Sequence, residues 1–137
     1  MRARYERAGV SADVVPFVAD MARAYAECDV MICRAGASTI AELAAAGVPA
    51  VLVPYPHAVD DHQTCNARFL SDRGAAILIP QAELTAERLA SLLRELTRDK
   101  LLDMARAARA AGKPDATQVV AEACMGMPPS RRGWQDR

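Results

Sequence analysis

Along the chain, short and almost continuously apolar runs alternate with stretches where alanine and leucine recur at helical spacing, and polar residues gather at the joints. Apolar runs bounded by turn residues read as strands covered on both faces, and strands alternating with helices build a parallel sheet. Residues 13–17 (DVVPF) predict a first short strand, and 20–27 (DMARAYAE) a helix leading into a buried strand at 30–33 (VMIC). Residues 34–37 (RAGA) predict a turn. The next helix, 38–46 (STIAELAAA), is expected to be capped by Ser38 or Thr39 and ended by Gly47 in the left-handed conformation. Residues 49–54 (PAVLVP) predict a strand, 55–61 a polar loop, 62–72 a helix closed by Gly74, and 76–79 a further strand. Two helices are expected over 85–98 and 99–111, and a last one over 115–124, begun by Pro114 and Asp115. The pattern predicts an α/β fold with a Rossmann-like parallel sheet and flanking helices. It divides the chain into one domain, 1–124, and a loose tail, 125–137, where periodicity stops. About a dozen residues precede the first predicted strand, whereas an open parallel sheet usually continues on both sides. The chain is therefore expected to be the back part of a larger α/β protein.

Composition narrows the function classes. With 137 residues, 52% of them hydrophobic, 25% charged and a formal net charge of zero, the chain reads as a globular domain large enough to bury its own core. It lacks the basic excess that drives nucleic-acid binding and the run of ~20 apolar residues that spans a bilayer. Residues 1–7 are polar and lead into no signal-peptide core, so a cytoplasmic location is expected. The four cysteines, Cys28, Cys33, Cys65 and Cys124, form no Cys-x-x-Cys pair, and His57 and His62 share a loop. Reduced, mostly buried thiols and no metal site are expected.

Candidate chemistry collects in three segments. In 33–49 (CRAGASTIAELAAAGVP) a buried strand ends, the chain turns through Gly36, and a helix begins. Ligands of open α/β sheets lie beyond the carboxyl ends of strands, and a helix start offers unpaired N–H groups to a phosphate. Gly36 lets that backbone approach an anion closely. Glu42, one turn further on, shares a side of the helix with Ser38 and Thr39 and is placed to accept hydrogen bonds from a ribose diol. A generic strand-to-helix turn with a capping serine and a solvated glutamate has the same pattern. In 54–66 (PYPHAVDDHQTCN) a polar loop gathers Asp60, Asp61, His62, Gln63 and Asn66, side chains suited to hydroxyl-bearing ligands such as sugars. A solvated loop in which one aspartate caps the next helix fits as well, and nothing in the local sequence marks His62 as a general base. In 14–21 (VVPFVADM), Phe17 and Val18 are either core residues or the backbone that reads a base.

These segments together resemble the MurG family of peptidoglycan glycosyltransferases, over about residues 5–124. The run ICRAGASTIAELAAAGVPAVLVP followed by DDHQTCNA carries the likeness most specifically. The resemblance implies the C-terminal half of a two-domain GT-B enzyme, the half that holds UDP-N-acetylglucosamine, with metal-independent, cofactor-free, inverting transfer to a lipid-linked acceptor (lipid I). It implies that Phe17 and Val18 meet the uracil, that the amides of Ala37, Ser38 and Thr39 after Gly36 meet the diphosphate, and that Glu42 binds the ribose. His62, Gln63 and Asn66 would hold the sugar, and Arg34 would support the turn. No catalytic residue is assigned: the resemblance places the base, the acceptor site and the face peripheral to the cell membrane in an N-terminal domain this chain lacks. A first strand-helix unit, with a phosphate-side serine and arginine, is missing too. A standalone donor-binding subunit completed by a partner chain is the rival reading. Other UDP-sugar enzymes of this architecture, a diacylglycerol glycosyltransferase or a UDP-N-acetylglucosamine epimerase, are disfavoured by the DDHQTCNA loop.

Overall fold

The computed structural model describes residues 2–126, apart from the side chain of Val59. Among the described residues, seven α-helices and three strands follow one another: α1 (Arg2–Arg7), α2 (Met21–Glu27), β1 (Met31–Cys33), α3 (Ala37–Ala46), β2 (Ala50–Leu52), α4 (His62–Ser71), β3 (Ala76–Leu78), α5 (Ala86–Glu95), α6 (Arg98–Ala111) and α7 (Ala116–Cys124). The strands form one parallel sheet in the order β1-β2-β3, with Ile32 opposite Val51 and Val51 opposite Ile77. The expected Rossmann-like α/β architecture is thus present. Its strands are short, which is why hydrophobic runs outlast the hydrogen-bonded ladders at both ends.

β2 lies in the middle, and its continuous apolar run reflects that place. Ala50 and Leu52 enter the main core with Leu43, Ala44, Ala67 and Leu70, while Val51 faces the other side of the sheet and is also fully buried. α3 ends as its sequence predicts. Gly47 takes φ +74°, and the N–H groups of Gly47 and Val48 both donate to the Leu43 carbonyl, at 2.9 and 3.0 Å. Behind α3 lies α6, whose Ala108 is buried against the same core. Side-chain caps start three helices: Asp20 accepts from the Arg23 amide, Thr85 from Arg88 and Thr97 from Lys100. The Thr97 cap draws the start of α6 back to Arg98, one residue before the predicted Asp99.

Several expectations are corrected. Residues 13–17 form no strand. A strand needs a ladder partner, none among the described residues pairs with this segment, and Pro16 has no N–H to give. Val15 and Phe17 are exposed, and the Val14 carbonyl instead accepts from the Arg2 guanidinium at 2.9 Å. α1 had no counterpart in the sequence reading. Neither Ser38 nor Thr39 caps α3: Gly36 occupies the cap position and both lie inside the first turn. Asp61 stands at the cap position of α4 but bonds no backbone amide there. At φ +52° its side chain is not aimed as in an extended cap residue, and it takes the Thr64 hydroxyl at 2.6 Å instead. Residues 127–137 of the predicted tail lie outside the described residues.

The cysteines divide into two classes. All four are free, but only Cys28 and Cys33 are partly buried, whereas Cys65 and Cys124 are exposed. Burial pushes both the Cys28 and Cys33 thiols above the ordinary range, which lowers their thiolate fraction. Iodoacetamide at pH 8 is expected to label Cys65 and Cys124 first and the other two about tenfold more slowly. Peptide mapping of a timed reaction checks this, and equal labelling of all four would contradict the described packing.

Candidate functional site

Parallel strands send their carboxyl ends to one edge of the sheet, so the segments after Cys33, Leu52 and Leu78 emerge together. Arg34 ties them. Its Nη1 donates to the carbonyls of Val53 (3.2 Å) and Pro54 (3.1 Å), and its Nη2 to Gln81 Oε1 at 2.7 Å. The guanidinium also lies 5.6 Å from the centre of the Tyr55 ring. Five donors in a rigid plane suit a residue that must bridge three loops. Arg34 was expected to support its own turn; its bonds run instead from that turn to the segments after β2 and β3.

The turn itself passes through Ala35, which is fully buried, and Gly36. The first intrahelical bond of α3 runs from the Ile40 N–H to the Gly36 carbonyl at 3.0 Å, and no side chain caps the helix start. Amides 37 to 39 are therefore left without intrahelical partners, at the positive end of the helix dipole. Gly36 has φ −66° and ψ 148°, which any residue adopts, and an added Cβ would meet only Thr39 Oγ1 at 3.6 Å. The fold does not demand glycine here. A group approaching the amides from outside does give a reason for it.

Glu42 stands on the exposed side of α3, and its Oε2 accepts a 2.7 Å hydrogen bond from the hydroxyl of Tyr25 on α2. The two residues share an apolar groove with Met21, Ala22, Ala26, Ala45 and Ala46. From α4, Asn66 Nδ2 donates to the Ala35 carbonyl at 3.1 Å, pinning the helix to the turn. Gln63 Oε1 accepts from the Tyr55 amide at 3.0 Å. The partners fix both amide orientations, because a carbonyl only accepts and an N–H only donates. These bonds use the Gln63 oxygen and the Asn66 amino group. His62 opens α4 and is exposed. Asp60 and Asp61, at φ +51° and +52°, hold the preceding loop in the left-handed region that aspartate tolerates better than most residues.

The structure thus joins Gly36, Ala37, Ser38, Thr39 and Glu42 on one turn and helix, with Gln63 and Asn66 bonded to the adjoining loop and turn. Phe17 and Val18 stand apart, on the exposed segment before α2. Sequence reasoning missed Tyr25 and Gln81. A tyrosine within an alanine-rich helix reads as core, and nothing local says that its hydroxyl meets a carboxylate 17 residues on. Among the described residues no group of His, Cys, Asp and Glu side chains could hold a metal ion, and no helix is long and apolar enough to cross a membrane.

A parallel α/β sheet with an uncapped helix start just past the carboxyl end of β1 presents unpaired N–H groups at the edge where ligands of such sheets ordinarily lie. The chain belongs to the glycosyltransferase family 28 C-terminal domain, whose family profile matches residues 1–120. It is similar to an enzyme of Cupriavidus metallidurans named UDP-N-acetylglucosamine–N-acetylmuramyl-(pentapeptide) pyrophosphoryl-undecaprenol N-acetylglucosamine transferase, at 63% identity over 90% of this chain and 35% of that one. A relative of the same name from Aromatoleum aromaticum is 57% identical over 96% of this chain and 37% of its own. The crystal structure of Acinetobacter baumannii MurG matches with a TM-score of 0.85 and 48% identity, over 92% of this chain and 39% of that one. These similarities bear out the MurG resemblance and the GT-B architecture. The chain spans little more than a third of the length of the curated relatives it matches.

Proposed function

We propose that this chain is the donor-binding part of an N-acetylglucosaminyltransferase of peptidoglycan synthesis, acting on UDP-N-acetylglucosamine and a lipid-linked muramoyl-pentapeptide acceptor at the cytoplasmic face of the membrane. The observation that carries the reading is the uncapped start of α3 with Glu42 one turn further on. The names of relatives up to 63% identical support the choice of donor and acceptor. In this reading the amides of Ala37, Ser38 and Thr39 receive the diphosphate, and Glu42 receives the ribose hydroxyls. Phe17 and Val18 meet the uracil, and His62, Gln63 and Asn66 contact the sugar. These residues contribute positioning and stabilise the departing UDP through fixed N–H groups and the helix dipole. The acceptor and the catalytic base are assigned to no residue of this chain.

Calorimetric titration with UDP-N-acetylglucosamine, against UDP-glucose and ADP, tests the proposal. Saturable binding selective for uridine and for the N-acetyl group is expected. A folded chain that binds none of them, or all of them equally, refutes it. Gly36→Val is expected to weaken UDP binding by about tenfold or more, roughly 1.4 kcal/mol, because the side chain stands between amides and phosphate. The same variant is expected to change stability by about 1 kcal/mol or less, the usual cost of a poorer cap residue. Unchanged UDP affinity would rule out this turn as the phosphate seat.

A further inference from the structure

Tyr25 is 8% exposed and belongs to the main core, packed with Ile40, Leu43 and Ala44. Its ring is fixed by that packing, so the hydroxyl at its tip is fixed too. A buried phenol O–H needs an acceptor, and here it finds Glu42 Oε2 at 2.7 Å on the neighbouring helix. For Glu42 the bond has a different meaning. A glutamate on an exposed helix face ordinarily samples many rotamers, and every ligand that recruits it must bear the cost of ordering it. Anchoring one carboxylate oxygen to a rigid hydroxyl removes most of that freedom in advance. The second oxygen keeps its lone pairs for a pair of vicinal hydroxyls.

We propose that Tyr25 is a positioning residue for nucleotide binding: it pre-orders the Glu42 carboxylate so that its remaining acceptor sites meet the ribose diol. The assignment rests on the reading of Glu42 as the ribose acceptor. Two further features support it. The groove that Tyr25 and Glu42 share is lined by α2 and α3 alone, with Met21 at the start of α2, so the Glu42 carboxylate borders open space between the two helices. Burial first, and then the hydrogen bond and charge of Glu42, push the Tyr25 phenol far above its ordinary range. The hydroxyl therefore stays a donor at every pH where the chain is folded and working.

A clamp that merely joined α2 to α3 would affect all ligands alike, which separates the two roles. The experiment measures the affinity of the full chain for UDP and for its 2′,3′-dideoxy analogue in four forms: unaltered, Tyr25→Phe, Glu42→Ala and the double variant. Melting midpoints are recorded alongside. Tyr25→Phe keeps the ring and removes one oxygen, so the fold is expected to persist. That variant should weaken UDP binding about three- to tenfold, the cost of ordering one long side chain. It should leave the dideoxy analogue unaffected, and it should add nothing in the Glu42→Ala background. Equal weakening of both nucleotides overturns the assignment in favour of a clamp. So does a Tyr25→Phe effect that persists without Glu42, or unchanged UDP affinity in a chain where Glu42→Ala does weaken binding. If the unaltered chain binds UDP and the dideoxy analogue equally, the ribose reading of Glu42 fails first, and the Tyr25 assignment fails with it.

Discussion

Gly112→Ala lowers the stability of the folded chain by about 1–3 kcal/mol, the usual range for forcing a methyl group into closed packing. A Cβ at this position would stand 2.6 Å from the Ala44 carbonyl oxygen, 2.9 Å from its carbon and 3.2 Å from Ala45 Cα. These are backbone atoms of α3, which no rotamer change can move aside. The glycine's own φ of −68° and ψ of 150° are ordinary, so contact rather than conformation demands it. The neighbouring small residues make the same point. A Cβ on Gly47 would meet Arg109 Cβ at 3.3 Å and the Ala105 carbonyl at 3.4 Å, and the Arg109 guanidinium donates to the Ala45 carbonyl. α6 is pressed against the back of α3 along a seam with no space for branches. The urea midpoint, at unchanged slope, reads the effect. A variant as stable as the unaltered chain would show that the two helices are not so closely apposed.

Glu42→Ala is the substitution with the largest expected effect on binding: a loss of about 1.5–3 kcal/mol for UDP, roughly 10- to 150-fold in affinity. Hydrogen bonds to a charged carboxylate are worth more than neutral ones, and two hydroxyls on one acceptor share a single, already ordered partner. Removing the carboxylate also releases the Tyr25 hydroxyl, whose bond to Glu42 is its one described partner on α3. A modest stability loss therefore accompanies the binding loss, and affinity must be measured well below the melting range. The chemical control is the ligand. A deoxyribose analogue should bind the unaltered chain more weakly than UDP does, and bind the Glu42→Ala variant as UDP does. Equal penalties in both proteins would remove Glu42 from the ribose.

Much of the scaffold that holds this site could be read from the residues alone. The apolar run 49–54 fitted only a strand covered on both faces, and β2 is that strand. Gly47 adopts the left-handed conformation expected of it, and Gly74, expected only to close the next helix, adopts it too. The candidate turn was legible because strand, glycine and helix occur within a few residues and their chemistry is local. What escaped was non-local. Residues 13–17 have a strand's composition, but a ladder requires a neighbour that composition cannot supply. Gly112 carries no turn signal, since its role is set by α3 more than 60 residues earlier. Tyr25 and Gln81 serve the site through partners on other elements, which no spacing rule connects. The surface placement of Cys65 and Cys124 went unread for a related reason: cysteine's average preference for burial says nothing about which side of a helix faces the core.

The sheet order also bears on how the chain folds. Neighbours in the sheet are neighbours in sequence, with Ile32 paired to Val51 and Val51 to Ile77, separations of 19 and 26 residues. No strand has to wait for a distant segment, and closing loops of that size costs little more than closing shorter ones. Assembly can proceed as a zipper from the amino end, with β1, α3 and β2 forming a nucleus onto which α4 and β3 add. The turn through Gly36 lies inside that first unit. Pulse-labelled hydrogen exchange during refolding is expected to protect the amides of β2 and the body of α3 before those of β3, and the reverse order would place the nucleus elsewhere. A turn formed in the earliest structure has its geometry set before the rest of the domain arrives, so substitutions in α5 or α7 should alter how long the chain stays folded far more than the shape of that turn.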